Sequence, residues 1–384
     1  MNARKKFALA ISAIPLLALV SGCNDSVDLQ AVRAFTAKAS EASDRFPLIA
    51  DDFYASCVRG ADYVPIGQFS QSDIDAAVER VSKIPDEALR TQLQGQLQAL
   101  KPNDASPFAY RDLRRQECEQ YASLGRALND RHQFLFTYLK TLGDLASDQL
   151  VDYSAAVDTL GGSVQQAAVT LGTKPADAEA QAGIFKFIAT KIFTAIADNY
   201  RRDRLKEYLV GNSGAVDKYI QFLQPDVVAY LTALQSEDTL LSSYYRFSIL
   251  SEYQARQRQL ASVGSSQPGQ PLRISSRGLT EPAMNMDRRL ADAKAQLQRR
   301  TEAGKSYLTM LKILQAANVE FACKLADQPA QLEFVERCPK ASPVVEANTK
   351  AAAKLPLDRT LQTLAVKYYL QLKPEIIRLN NFQE

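Results

Sequence analysis

The sequence predicts an all-α fold, an elongated multi-helix bundle of long antiparallel helices. Apolar residues recur at steps of three and four along most of the chain, which places them on one face of a helix. Strict alternation of apolar and polar residues, the pattern of a half-buried strand, is scarce. The longest periodic stretches correspond to helices of about 50 to 75 Å, and short connections place such helices antiparallel to their neighbours.

The first third of the chain contains four stretches with helical periodicity. Residues 28–57 form the first, and two shorter helices are predicted at 72–84 and 85–100. The helix at 85–100 opens with a proline, which is favourable because the first residues of a helix need no N–H donor. The pattern resumes near residue 106 and continues to 146.

The middle of the chain is predicted to contain the most central helix. A smaller helix at 151–171 is interrupted by two glycines, and a turn separates it from a long helix at 175–210. The segment 184–197 within that helix is apolar on almost every side, which is typical of a buried helix. Contact with a membrane is the alternative for this segment, and its two lysines and long flanking helices disfavour it.

Two long helical regions in the rest of the chain are separated by a loop. The first contains Pro225, where a kink is expected because proline interrupts the hydrogen-bond ladder. Residues 263–282 are rich in Ser, Gly and Pro, so the helical region 23–262 is predicted to end there. The C-terminal helical region, 283–384, is predicted to pack into the same bundle, with Gly304 allowing a neighbouring helix to approach closely.

The first 22 residues have the three-part pattern of an export signal. Basic residues occupy positions 4–6, a mostly apolar run follows at 7–20, and small residues precede Cys23. The apolar run would rise only about 21 Å as a helix, short of the roughly 30 Å hydrocarbon core of a bilayer. A permanent transmembrane helix is therefore not expected.

The sequence Val20-Ser21-Gly22-Cys23 resembles the lipobox of bacterial lipoprotein signals, and we recognise no family for the mature chain. The resemblance implies that residues 1–22 are cleaved, that the Cys23 thiol receives a diacylglyceryl group, and that the new amino terminus is acylated. Acyl chains on Cys23 would then hold the protein at a membrane while its body faces the periplasm. Asn24, in place of the aspartate that retains such proteins in the inner membrane, favours the outer membrane.

The charge balance excludes a broad nucleic-acid footprint. The chain has 46 Lys plus Arg and 43 Asp plus Glu, and cleavage at Cys23 removes three basic residues and no acidic one. The mature chain is therefore close to neutral, whereas nucleic-acid binding depends on a local excess of basic residues. We expect neither a nucleic-acid partner nor a cofactor.

Four cysteines remain for disulfides once Cys23 is assigned to lipid. In an oxidising periplasm they can pair in three ways, and we favour Cys57 with Cys118 and Cys323 with Cys338. Closing a short loop such as the second stabilises a fold by about 3 kcal/mol on the chain-entropy estimate. A zinc site is not expected, because zinc sites use clustered Cys and His and this chain has a single histidine.

No constellation of catalytic residues is found. His132 has no G-x-S-x-G motif to accompany it, so we expect a surface or partly buried histidine that makes a hydrogen bond. Asp51 and Asp52 are the most suggestive carboxylates, but adjacent helix positions do not face each other, so a solvated face is expected. Catalytic residues and metal ligands are therefore not assigned.

Two groups of side chains are candidates for contact with a ligand or a partner. Arg202 and Lys206 are candidates for an anionic group, although the acidic residues between them are typical of an ordinary charged surface. The aromatic group is candidate lining for a groove, although its helical spacing makes core packing the default. Its members are Tyr244, Tyr245, Phe247 and Tyr253.

These features predict a non-enzymatic, lipid-anchored periplasmic protein that acts as an interaction scaffold or adaptor for an envelope protein. The alternative is a binding module for a small or polymeric envelope ligand, with aromatic and Arg side chains between helices. A cluster of buried polar side chains inside the bundle would favour ligand binding or catalysis, whereas fully apolar packing would favour the scaffold.

Overall fold

The computed structural model is all-α throughout the residues that it describes, which confirms the predicted fold class. Those residues are 26–42, 44–64, 70–100, 108–145, 207, 209–264, 281–326, 332–338 and 357–380. Several sequence predictions lie outside them: the signal segment, Cys23, Arg202, Lys206, the helix at 151–171, most of the helix at 175–210, and residues 265–280 of the loop.

The predicted helical stretch at 28–57 is two helices. α1 (Ser26–Ser40) ends at a turn, and α2 (Phe46–Asp62) has Pro47 in its first turn. Proline disfavours the helical conformation in the residue before it and cannot donate to a preceding helical turn, so the chain breaks there.

A small three-helix lobe follows α2. It consists of α3 (Gln71–Ser82), α4 (Glu87–Ala99) and α5 (Ala109–Glu117). Asp86 caps α4 by accepting the Leu89 N–H at 3.0 Å, so Pro85 precedes the cap and does not open the helix as predicted. The lobe has a core of its own, formed by Ala77, Val81, Ile84, Leu93, Leu97 and Leu113.

The remaining helices complete the main bundle. A 3₁₀ turn at Cys118–Tyr121 divides α5 from α6 (Leu124–Leu145), so the continuous pattern at 106–146 is interrupted. Three further helices are described: α7 (Ser213–Gly264), α8 (Glu281–Leu325) and α9 (Leu357–Asn380). Helices α8 and α9 share one apolar core with α1, α2, α6 and α7. Of the described helices, none has both the length and the hydropathy to cross a bilayer.

Helices α7 and α8 are antiparallel neighbours in close contact. An ion pair joins Lys294 to Asp238 at 3.4 Å, and Gly304 faces α7. A Cβ atom at position 304 would lie 2.8 Å from Leu231 Cδ2 and 3.3 Å from the Tyr230 ring. The missing side chain therefore allows the close approach that the sequence predicted.

Both favoured cysteine pairs lie at disulfide distance. Cys57 of α2 is bonded to Cys118 in the turn after α5, which attaches the lobe to the main bundle. Cys323 near the end of α8 is bonded to Cys338, which follows a short 3₁₀ turn at Val335–Arg337. Each bond thus ties a small element to a longer helix of the main bundle.

Candidate functional site

The end of α7 and the start of α8 form a hairpin with exposed apolar side chains. We call residues 246–258 of α7 and 281–293 of α8 the arm. Phe247 is 63% exposed, Leu250 50% and Tyr253 44%, and Met284 of α8 is 42% exposed. The antiparallel register, fixed by the Lys294–Asp238 pair, places Met284 at about the level of Phe247 and Leu250. The arm therefore presents apolar groups from both of its helices.

The two predicted contact tyrosines lie where the arm meets the bundle. Tyr244 and Tyr245 are half-buried and form an aromatic cluster with Tyr63, which directly follows α2, at ring distances of 5.9 and 6.4 Å. Core packing was the wrong expectation for Phe247 and Tyr253. Both side chains are exposed, because their face of α7 is not covered by another part of the bundle.

A cleft of about 530 Å³ lies between the lobe and the main bundle. Its size is within the range of about 300 to 1,000 Å³ that is usual for small-molecule sites. Helices α2 and α7 provide its most apolar wall, in which polar side chains also occur. Its lining consists of Phe53, Gly60, Ala229, Ala233 and Leu240 together with Ser56, Thr232, Ser236 and Glu237. The facing wall is more polar, with Arg80, Lys83, Arg114, Gln120 and Tyr121.

Two guanidinium groups share one buried carboxylate on the polar wall. Arg80 Nε donates to Glu117 Oε2 at 3.0 Å, and Arg114 donates to the same oxygen. Arg80 also donates to the Tyr110 hydroxyl at 3.2 Å. Because one carboxylate neutralises only one of the two arginines, this wall has an excess of positive charge and favours an anionic group.

The apolar wall adjoins a buried ion-pair network centred on Glu237. Its carboxylate accepts from the Ser56 hydroxyl at 2.7 Å and from Arg59 Nε at 2.9 Å. Arg300 of α8 donates to both oxygens of Glu237, at 3.0 and 3.1 Å. The network therefore joins α2, α7 and α8 with fork-shaped, charge-assisted hydrogen bonds.

Asp52 belongs to the same network, so the expectation of a solvated face was wrong for this residue. It accepts from Arg59 Nη2 at 2.6 Å and from the Tyr230 hydroxyl at 2.7 Å, whereas Asp51 is exposed. Burial raises the pKa values of Asp52 and Glu237, and Arg59 opposes that rise. Successive helix positions diverge by about 100°, which places one carboxylate inside and the other in solvent.

His132 of α6 is completely buried in a second polar cluster, so a surface position was the wrong expectation. Its Nδ1 lies 2.8 Å from the Tyr307 hydroxyl and its Nε2 lies 3.3 Å from Asp226, which also contacts Arg131 at 3.1 Å. Burial lowers the pKa of the His132 imidazole, and Asp226 opposes that effect. The neutral ring therefore accepts from the tyrosine at Nδ1 and directs its Nε2 hydrogen towards the carboxylate.

An aspartate that orients a histidine is also found in hydrolases, but this cluster is closed. The side chains of Arg131, His132 and Asp226 are 1%, 0% and 3% exposed. The Phe46 ring stacks on the imidazole at 3.7 Å. A substrate has no access to these groups, so the cluster links α6, α7 and α8 as a structural element.

The described residues offer no metal site, and comparisons with known proteins give no match. Within the described part of the chain, no group of three His, Cys, Asp or Glu side chains is placed to hold a metal ion. No protein-family model matches the chain, and comparisons with curated proteins and with solved structures give no match. Function is therefore inferred from the surfaces and the cleft.

The buried histidine predicts a loss of stability in mild acid. Since folding lowers the pKa of His132 below its unfolded value of about 6.5, its contribution is complete above that pH and is lost as the pH falls towards the folded pKa. Between pH 7.5 and 5.5, the unfolding free energy of the wild type should therefore decrease through this group. His132→Gln should remove that part of the pH dependence in denaturant titrations.

The matched control for this experiment is Tyr307→Phe, which removes the hydroxyl but leaves the titrating imidazole buried. It should lower stability at both pH values and keep a pH dependence close to that of the wild type. Equal pH dependences in the wild type and His132→Gln would contradict the assignment.

Proposed function

We propose that this chain is a lipid-anchored protein of the bacterial envelope whose helical body acts as an interaction scaffold for an envelope protein. The lipobox-like sequence ending at Cys23 supports the anchor and the periplasmic orientation, and Asn24 favours the outer membrane. Cysteine pairs at disulfide distance are in keeping with an oxidising compartment.

The exposed apolar arm is the observation that carries the scaffold proposal. Phe247, Leu250 and Tyr253 lie within seven residues of one helix, next to the charged side chains of Arg246 and Glu252. Exposed apolar groups surrounded by polar ones are typical of protein interaction sites, in which aromatic residues are enriched. Buried polar clusters inside the bundle were expected to favour ligand binding or catalysis. The His132 cluster is closed to solvent, whereas Glu237 lines the cleft and so supports the second candidate function below.

The anchor predicts a specific dependence on Cys23. Cys23→Ser, or treatment with globomycin, should leave an uncleaved precursor and prevent acylation, which can be followed by mass spectrometry and by incorporation of labelled palmitate. Ser21→Ala is the matched control, because it keeps a small residue in the lipobox-like sequence and should mature normally. Normal maturation and acylation of the Cys23→Ser protein would refute the anchor.

The arm predicts a position-specific contact in cells. A photocrosslinking amino acid in place of Phe247 should give a discrete adduct with an envelope protein, detected by immunoblotting and identified by mass spectrometry. Leu250→Glu should abolish that adduct, because it introduces a charge into the apolar contact.

Position 228 is the matched control for the arm, since Val228 is also an exposed apolar residue of α7 but lies outside the arm. The same photocrosslinker at that position should not give the adduct. The scaffold proposal fails if the Phe247 adduct is absent, or if it persists unchanged with Leu250→Glu.

Binding of an anionic envelope ligand is the second candidate function, and the cleft favours it. Its polar wall has the surplus guanidinium charge of Arg80 and Arg114, and its apolar wall suits a ring or an acyl group. An anionic molecule with an apolar body fits both walls.

Native mass spectrometry of residues 24–384 tests this candidate. A retained ligand should appear as one mass adduct, and Ala233→Phe should remove it by filling the apolar wall of the cleft. Val228→Phe changes an exposed position of the same helix and should keep the adduct. A ligand-free wild type, or an adduct that survives Ala233→Phe, would exclude the cleft.

A further inference from the structure

Helix α9 is apolar on two opposite faces. One face is buried in the bundle and includes Leu364, Tyr368, Leu372 and Ile376. The other face consists of Val366, Leu370 and Ile377, which are 48%, 60% and 51% exposed. At 100° per residue these three side chains lie within about 40° of one another and point away from the core. We call them the outer stripe of α9.

Basic side chains border the outer stripe. On a helical wheel Lys373 lies on one side of it, and Lys367 and Arg378, which pair with Glu320 of α8 and with Glu375, lie on the other. Glu375 is the one carboxylate between residues 363 and 380, and its side chain is buried. Helices α1 and α9 together contain six basic and three acidic residues, although the mature chain as a whole is balanced. The outer stripe is therefore set in a locally positive surface.

Helix α1 connects this surface to the proposed anchor at Cys23. Only three peptide bonds separate Cys23 from Ser26, the first residue of α1, so the helix begins within about 10 Å of the acylated residue. Helix α1 packs along α9, with Phe35 6.5 Å from Tyr368 and Arg45 hydrogen-bonded to Asn380 at 2.9 Å. Both helices run in the same direction, so their first turns lie at the same end of the bundle.

We infer that the outer stripe of α9 lies on an anionic bilayer surface, so that the body of the protein rests flat against the membrane that holds Cys23. The inference rests on the proposed lipid anchor for its setting. Val366, Leu370 and Ile377 enter the boundary between headgroups and acyl chains, and the exposed ammonium group of Lys373 pairs with a lipid phosphate.

The chemistry of the surface favours a bilayer over a protein as the occupant. A single convex helix with one narrow apolar stripe fits a planar interface, and basic residues on both sides match anionic headgroups. Because the connection between Cys23 and α1 is short, the anchor keeps α9 close to the bilayer. Even a weak contact between α9 and the bilayer surface is then formed most of the time.

Vesicle flotation of residues 24–384, which contain every described helix and no acylation site, tests the inference. The protein should float with vesicles of 30% phosphatidylglycerol in phosphatidylethanolamine and much less with pure phosphatidylcholine. Leu370→Glu should lower the partition coefficient by about tenfold, because it removes an apolar contact and adds a charge of the same sign as the lipid. Higher salt should weaken the wild-type interaction through screening.

Val228→Glu is the matched control, since it makes the same kind of change at an exposed apolar position of α7. It should bind vesicles like the wild type, and circular dichroism should show that both variants are folded. Equal flotation of the wild type and Leu370→Glu, or no flotation with anionic vesicles at low salt, overturns the inference. A dimer in solution that dissociates when Leu370 is replaced by Glu would also overturn the inference, because the outer stripe would then bind a second copy of the chain. None of these outcomes depends on acylation, so failure of the anchor is detected separately.

Discussion

The carboxylate of Glu237 is the contact on which the arrangement of the bundle depends. It joins α7 to Arg59 of α2 and to Arg300 of α8, which lie 178 and 63 positions away in the chain. A buried ion pair adds little net stability, because the cost of removing both charges from water offsets their attraction, but losing one partner costs about 3 to 5 kcal/mol. A shifted register would leave such a charge unpaired, so the network selects one packing of the three helices.

The second polar cluster holds α6, α7 and α8 together at a different position in the bundle. Tyr307, His132 and Asp226 bring α8, α6 and α7 together through one continuous chain of contacts, from which solvent is excluded. Both clusters resemble catalytic arrangements in composition, yet their groups are bonded to one another within the protein. Their effect is to hold α2, α6, α7 and α8 in one packing.

The proposed functions rest on the apolar side chains that the core leaves exposed. The arm is a pair of helices with apolar side chains on both members, whereas the outer stripe belongs to a single helix bordered by basic residues. The first suits a protein surface and the second suits a bilayer, because lipids offer a plane of negative charge over an apolar layer.

The sequence by itself determined the all-α class, most helix positions and the role of Gly304, because periodicity and side-chain size are local properties. It left three cysteine pairings open, and contacts between distant residues such as Cys57 and Cys118 decided among them. Pro47 is likewise a local signal, because a proline in the first turn of α2 accounts for the break before that helix. Only the tertiary structure decided that Asp52 is partly buried while Asp51 is exposed, and that the second apolar face of α9 lies open. Periodicity shows that a helix has a face to cover, but whether another segment reaches that face depends on contacts between residues far apart in the chain.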